Sequence, residues 1–340
     1  MVTEIQNVPA IPALSRKDFV PPNEVRWCPG CGDYAILNSL QRTFPELGVK
    51  REDFCIISGI GCSSRFPFYM NTYGFHTIHG RAPTVATGVK VANPDLSVWI
   101  ITGDGDGLSI GGNHLLHLLR RNLNVNVLLF NNRIYGLTKG QYSPTSPVGT
   151  RTKTSPTGSL EHPLNPALFA LGAEATFVAR TVDNNPKHMV EIFKAAHEHN
   201  GVSFIEIFQN CVIFNDATWD SIYAKENRDD QMLFLETGKP LLFGKDKSKG
   251  IRLNGLTPEI VEAGTEGILI HQPDHPSPLY SHLLATMGQP EFPTPMGVIR
   301  QTEKPTYESL VEAQMAAAAA KKGPGTWHEL LHGDATWTVG

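Results

Sequence analysis

Five cysteines and two glycine-flanked acidic or amide turns are the residues of this sequence best placed to do chemistry. Cys28-Pro29-Gly30-Cys31 sets two thiols three positions apart, while Cys62, in Gly61-Cys62-Ser63-Ser64-Arg65, and Cys211 stand alone. Four thiolates can hold zinc or an iron-sulfur cluster. A zinc ribbon would bring a second C-x-x-C nearby, and a thioredoxin-like pair would leave Cys62 and Cys211 unexplained. The spread over separate segments favours a 4Fe-4S cluster, with zinc and free thiols still open. Asp33 is expected to cap a helix right after Cys31, whose dipole would favour thiolates. Cys55 lies in an apolar stretch and reads as packing.

The turn Gly103-Asp104-Gly105-Asp106-Gly107 follows an apolar run. Glycines there let backbone amides approach a phosphate at a helix start. The dinucleotide pattern G-x-G-x-x-G fails, because Leu108 and Ile110 stand where its third glycine would fall. A carboxylate between the glycines would also repel a bare diphosphate, unless a divalent cation sits between them. Asn131-Asn132-Arg133-Ile134-Tyr135-Gly136-Leu137, separated from Gly105 by 25 residues, offers the Asn132 amide oxygen and the Ile134 carbonyl as companions for Asp104 in a hard-oxygen site for Mg2+.

The elements that must position these residues alternate. Apolar strand candidates Phe54–Ser58, Ser97–Thr102, Val125–Phe130, Ala175–Arg180 and Ser203–Phe208 are separated by helical periods. The helices are expected from Asp33 through Phe44, from Pro83 to Ala92, over Ile110–Arg121 and over Pro186–Asn200, the last closed by Gly201. The fold class is α/β, an open, mostly parallel doubly wound sheet with a C-terminal extension. Sites in such sheets lie beyond the carboxyl ends of the strands, where the cysteines and both turns fall. The expected organisation is an N-terminal arm over residues 1–22, a cofactor domain over 23–215, and a partner-contacting extension over 216–340 whose clearest helix is Tyr307–Lys322. The polar stretch Ser143–Ser159 is too long for an ordinary connection and reads as a mobile, closing or partner-contacting loop.

Together, Cys28-Pro-Gly-Cys-Gly-Asp, Gly61-Cys-Ser-Ser, His79-Gly-Arg-Ala, Gly103-Asp-Gly-Asp and Asn131-Asn-Arg-Ile-Tyr-Gly-Leu-Thr-Lys-Gly-Gln resemble the β subunits of the 2-oxoacid:ferredoxin oxidoreductases, in order over roughly residues 17–225. The resemblance implies thiamine diphosphate held by Ile60, Gly61, Cys62, Ser63, His79, Asp104, Gly105, Asp106, Asn132, Gly136 and Leu137. It implies Mg2+ on Asp104, Asn132 and the Ile134 carbonyl, and one 4Fe-4S cluster on Cys28, Cys31, Cys62 and Cys211. The implied activity is the reversible, coenzyme A-dependent oxidative decarboxylation of a 2-oxoacid, with ferredoxin as electron acceptor. Thiamine carries that chemistry, so no catalytic side chain is assigned in this chain. The glutamate that activates the cofactor belongs to a separate α subunit, and an (αβ)2 assembly is expected. Lys139, in Gly-Leu-Thr-Lys-Gly-Gln, is more like 2-oxoglutarate enzymes than pyruvate enzymes. Arg65 and Lys139 are the expected substrate-carboxylate cations.

Composition removes other classes. A net charge of -4 and a pI near 6.3 give no basic excess for nucleic acid, and no apolar run approaches the ~20 residues that span a bilayer. Five cysteines in 340 residues, without a secretory leader pattern at Met1, point to a cytoplasmic protein and not a disulfide scaffold. His114 and His117 lack a carboxylate partner at helical spacing and read as packing residues.

Overall fold

The computed structural model describes residues 13–340; residues 1–12 of the expected N-terminal arm lie outside the described residues. Six strands form a parallel array: β1 (Phe54–Ser58), β2 (Tyr73–His76), β3 (Ser97–Gly103), β4 (Asn126–Asn131), β5 (Phe177–Val182) and β6 (Ser203–Phe208). Then β7 (Met232–Phe234) is followed by a small antiparallel sheet of β8 (Leu242–Phe243), β9 (Lys249–Asn254) and β10 (Thr257–Glu262). Finally, β11 (Thr294–Gln301) runs antiparallel beside β5 and carries β7 on its outer edge. The main sheet has the order β2-β1-β3-β4-β6-β5-β11-β7, so the chain after residue 216 adds two strands to it.

Helices cover both faces because the central strands are apolar on both. Trp99, Ile101, Leu128 and Phe130 pack with α1 (Asp33–Thr43), while Val98, Ile100, Val127 and Leu129 pack with α2 (Ala82–Ala92), α3 (Gly112–Arg121) and α4 (Pro166–Gly172). The first face is completed by α5 (Pro186–Glu198), through Met189, Ile192, Phe193 and Ala196. The architecture is the doubly wound, mostly parallel sheet that the alternating pattern predicts. Phe19, from the arm, is fully buried edge-on to Phe44 and Phe54.

Three local differences bear on the site. Gly32, not Asp33, precedes α1, and Asp33 is its first residue, buried at 1% exposure. The helix expected from Ile110 starts at Gly112, because Asp106–Ile110 form a π turn closed by the Gly111 N–H on the Asp106 carbonyl. Tyr73–His76 pairs as an exposed edge strand although its Tyr-Gly-Phe-His sequence carries no apolar run.

From β1 the chain goes out to the β2 edge and then returns across β1 to β3. The connections therefore leave the sheet in opposite directions at the carboxyl ends of β1 and β3, opening a crevice there. Gly59–Cys62 and Gly103–Asp106 emerge on its two sides.

Candidate functional site

The crevice opens into a cavity lined by all eleven residues expected to hold the cofactor: Ile60, Gly61, Cys62, Ser63, His79, Asp104, Gly105, Asp106, Asn132, Gly136 and Leu137. Asp33, Ile134 and Tyr135 are also in its wall. Small residues are needed because the backbone itself forms that wall. A Cβ on Gly59 would strike the Asp106 carboxylate, and one on Gly105 would enter the Tyr135 ring, whose hydroxyl donates to the Gly105 carbonyl (3.1 Å).

Asp104 is 2% exposed, and Oδ2 receives the hydroxyls of Ser143 (2.5 Å) and Thr145 (2.6 Å). Burial pushes its carboxyl above the usual range, and these two hydroxyls pull it back. Asn132 Oδ1 accepts from the Ile134 N–H (3.1 Å), which curls the segment so that both residues line the same cavity as Asp104. Asp106 has a different part. Its buried carboxylate accepts from the N–H groups of Ile60 (3.1 Å) and Gly80 (2.7 Å), from His79 Nδ1 (2.5 Å) and from the Thr102 hydroxyl (2.7 Å). It thus ties the β1 and His79 loops to the end of β3, and leaves His79 Nε2 for the cavity. His76 bonds Ser58 (3.1 Å) and the Ser64 carbonyl (2.9 Å) and supports this wall from behind.

A second cavity of about 240 Å³ is lined by Cys28, Cys31, Cys62 and Cys211. Long-range hydrogen bonds gather them. Trp27 Nε1 donates to the Cys62 carbonyl (2.7 Å), the Gly32 N–H to the Asn210 carbonyl (3.2 Å), and Gln209 Nε2 to Cys31 Sγ (3.4 Å). A Cβ placed on Gly136 would lie 3.5 Å from Cys211 Sγ and 3.6 Å from Cys62 Sγ, so both sulfurs flank that glycine. The helix dipole does not yield free thiolates here: burial pushes the Cys31 thiol up, aided by the Asp33 carboxylate, and burial takes Cys62 up to about 12. Cys55 sits apart in β1, as its apolar setting suggests.

The two cavities share a wall made of Asp33, Cys62, Asn132, Gly136 and Leu137. Both oxygens of Asp33 are buried in it without a hydrogen-bond partner. Burial pushes that carboxyl up to about 7, and the neighbouring Cys31 thiol pulls it down. Sequence reasoning gave Asp33 only a capping role, and nothing local signals its burial. Arg65 and Lys139 line the cysteine cavity and not the first one; Arg65 Nη1 donates to the Arg26 carbonyl (2.9 Å), and Lys139 is exposed at φ 75°. Ser143 and Thr145 were also missed as site residues, since they lie in the stretch that reads as a mobile loop.

Over 329 residues, the chain is 50% identical to the 2-oxoglutarate oxidoreductase subunit KorB of Mycobacterium tuberculosis, covering 95% of this chain and 88% of that one. The chain belongs to the β subunits of the 2-oxoacid:ferredoxin oxidoreductases. This β subunit is also 44% identical over 213 residues to the β subunit of 2-oxoacid:ferredoxin oxidoreductase 2 of Aeropyrum pernix, 63% of this chain and 69% of that one. Among solved structures, the 2-oxoglutarate:ferredoxin oxidoreductase of Magnetococcus marinus, with 2-oxoglutarate, coenzyme A and succinyl-CoA bound, superposes with a TM-score of 0.75 at 34% identity, covering 94% of this β subunit and 96% of that chain. The family profile described as thiamine pyrophosphate enzyme, C-terminal TPP binding domain, matches residues 59–207, the span that holds Ile60, His79, Asp104 and Asn132.

Proposed function

We propose that this β subunit works with an α subunit, as (αβ)2, in the reversible, coenzyme A-dependent oxidative decarboxylation of 2-oxoglutarate to succinyl-CoA and CO2, with electrons passing to ferredoxin in the cytoplasm. The observation that carries the proposal is the shared wall: the glycine-walled cavity beyond β1 and β3 and the four-cysteine chamber have Asp33, Cys62, Asn132, Gly136 and Leu137 in common. The substrate reading rests on the KorB relative, on Lys139, and on the 2-oxoglutarate and coenzyme A bound by the Magnetococcus marinus enzyme.

The residues fit the groups assigned to them. The glycine-walled cavity suits a thiamine diphosphate, and Asp104, Asn132 and the Ile134 carbonyl are the hard-oxygen set Mg2+ prefers beside phosphate. Asp104 is a buried carboxylate whose two side-chain hydroxyl donors both fall on Oδ2, which suits a cation at Oδ1. Among the described residues no three His, Cys, Asp or Glu side chains come close enough to share a single ion. Four cysteines ranged around a chamber suit the corners of a 4Fe-4S cluster better than one zinc. Bound there, thiamine supplies the electron sink for decarboxylation and the cluster takes electrons singly.

The chain's own residues then bind, orient and insulate. Asp106 fixes the Ile60 and His79 loops against the diphosphate position, and His79 presents Nε2 to it. Leu137 and Gly136 form part of the wall between the positions of the two groups. Arg65 and Lys139, at the rim beyond Leu137, are assigned to the substrate carboxylates; Lys139 makes no ion pair among the described residues.

Anaerobic purification with the α subunit, followed by iron, sulfide and thiamine assays and viologen reduction, tests the whole reading. A brown complex that reduces viologen with 2-oxoglutarate and coenzyme A, and not with pyruvate, is the expected result. A colourless protein whose activity survives air would overturn the oxidoreductase site, and equal use of pyruvate would overturn the substrate. Cys211→Ser should lose iron and keep thiamine; full iron content would remove Cys211 from the ligand set.

A further inference from the structure

We infer that the stretch Ser143–Ser146 backs the metal site, with Ser143 and Thr145 as positioning residues for Asp104. The inference rests on the Mg2+ reading above and goes beyond it, because it assigns the polar stretch a structural duty instead of leaving it as a lid.

The two segments that would hold the ion leave different strands, Asp104 at the end of β3 and Asn132–Ile134 after β4. No hydrogen bond between their side chains is needed to join them, because the later stretch joins both. Ser143 and Thr145 place their hydroxyls on Asp104 Oδ2, at 2.5 Å and 2.6 Å. Thr145 Oγ1 also lies 2.9 Å from Asn131 Oδ1, next to the amide ligand, and Asn131 Nδ2 donates to Glu206 (2.8 Å), which is paired with Arg180 (2.8 Å). Ser146 donates to the Arg133 carbonyl (2.5 Å), between Asn132 and Ile134, and accepts the Ser143 N–H (2.8 Å). Ser143, Thr145 and Ser146 are each 3% exposed, which is unusual for a stretch so rich in serine, threonine and proline.

Hydroxyl groups buried this way are there for their hydrogen bonds. Because both donors converge on Oδ2, the carboxylate is held in one rotation about its Cβ–Cγ bond, and Oδ1 is the oxygen no side-chain hydroxyl occupies. The same stretch pins the carbonyl side of the site through Ser146. Groups that orient a metal ligand in this manner commonly alter metal affinity about 10- to 100-fold when removed.

The test measures Mg2+-dependent binding of thiamine diphosphate to the anaerobically purified complex by equilibrium dialysis, with iron content and thermal midpoint as controls. Thr145→Val keeps the shape and removes the hydroxyl; Ser143→Ala removes the other donor. Each should raise the Mg2+ concentration for half-maximal binding about tenfold, with iron content unchanged. Thr145→Ser should restore the wild-type midpoint to within about threefold. Thr150→Val, which removes an exposed hydroxyl of the same stretch bonded to the Pro147 carbonyl, should change nothing. If both Thr145→Val and Ser143→Ala keep the wild-type midpoint, or if Thr145→Ser behaves as Val does, the positioning role is wrong. If wild-type protein binds thiamine diphosphate with no dependence on Mg2+, the metal reading itself falls, and with it the inference.

Discussion

Replacing Asp106 by Ala tests whether one buried carboxylate holds the cofactor wall together. The substitution orphans three donors at once: the N–H groups of Ile60 and Gly80, and His79 Nδ1. Thr102 escapes, since its hydroxyl also reaches the Gly103 carbonyl at 3.3 Å. An orphaned buried donor costs about 1–3 kcal/mol. The adjoining cavity admits water to part of the gap, so the low end applies, about 3 kcal/mol for the three together. With an unfolding entropy of about 0.7 kcal/mol/K for a chain of 340 residues, that loss lowers the melting midpoint by about 4 °C. The loosened Ile60 and His79 loops should also weaken thiamine diphosphate about tenfold, ~1.4 kcal/mol. Near-UV circular dichroism of the anaerobic complex and equilibrium dialysis read the two effects. Asp106→Asn keeps an acceptor oxygen for Ile60 and Gly80 and should lose less than half as much on both counts. An Ala variant melting within 1 °C of wild type, with unchanged cofactor affinity, would refute the clamp.

Gly136→Val would drive methyl groups between the Cys62 and Cys211 sulfurs, where even a Cβ sits 3.5–3.6 Å from them; iron per protomer should fall sharply, while Gly136→Ala should keep most of it. Arg180→Met leaves Glu206 charged and unpaired at 2% exposure and should cost about 3–5 kcal/mol by chemical denaturation; adding Glu206→Met should recover most of the loss. His199 donates from Nε2 to Thr176 (2.7 Å), whose hydroxyl donates to Asn122 (2.6 Å), and burial holds its imidazole down at about 4. The unfolded chain therefore takes up one more proton than the native one between about pH 6.5 and 4, and this contribution is present above pH 6.5 and lost as pH falls. Wild type should thus lose about 2 kcal/mol more than His199→Gln between pH 6.5 and 5, and parallel denaturation curves with equal losses would contradict it.

The parts of this molecule legible in its sequence are those fixed by local pattern. Strands at Phe54–Ser58 and Ser203–Phe208 and the helix Tyr307–Lys322 fall where apolar period and turn residues put them. The glycine turns, His79 and the Asn131–Leu137 segment meet in one cavity because adjacent parallel strands leave them no other place. What was not legible depends on distant packing. Thr294–Gln301 contains Pro295 and Gly297, which hide a strand, yet it pairs with β5 across an irregularity at Val298–Arg300. Ser143 and Thr145 look like solvent-facing loop residues until Asp104 arrives from another strand. Asp33 looks like a cap, yet it is buried where the chain at Asn210 closes over Gly32.

The five residues common to both chambers leave evolution and engineering little freedom. A library at positions 136 and 137 built to admit a different keto acid would, in the same stroke, rework the wall of the four-cysteine chamber. With the cluster proposed above in that chamber, selectants for new substrates are expected to arrive with altered reduction potentials, and screening for either trait alone will mislabel the other.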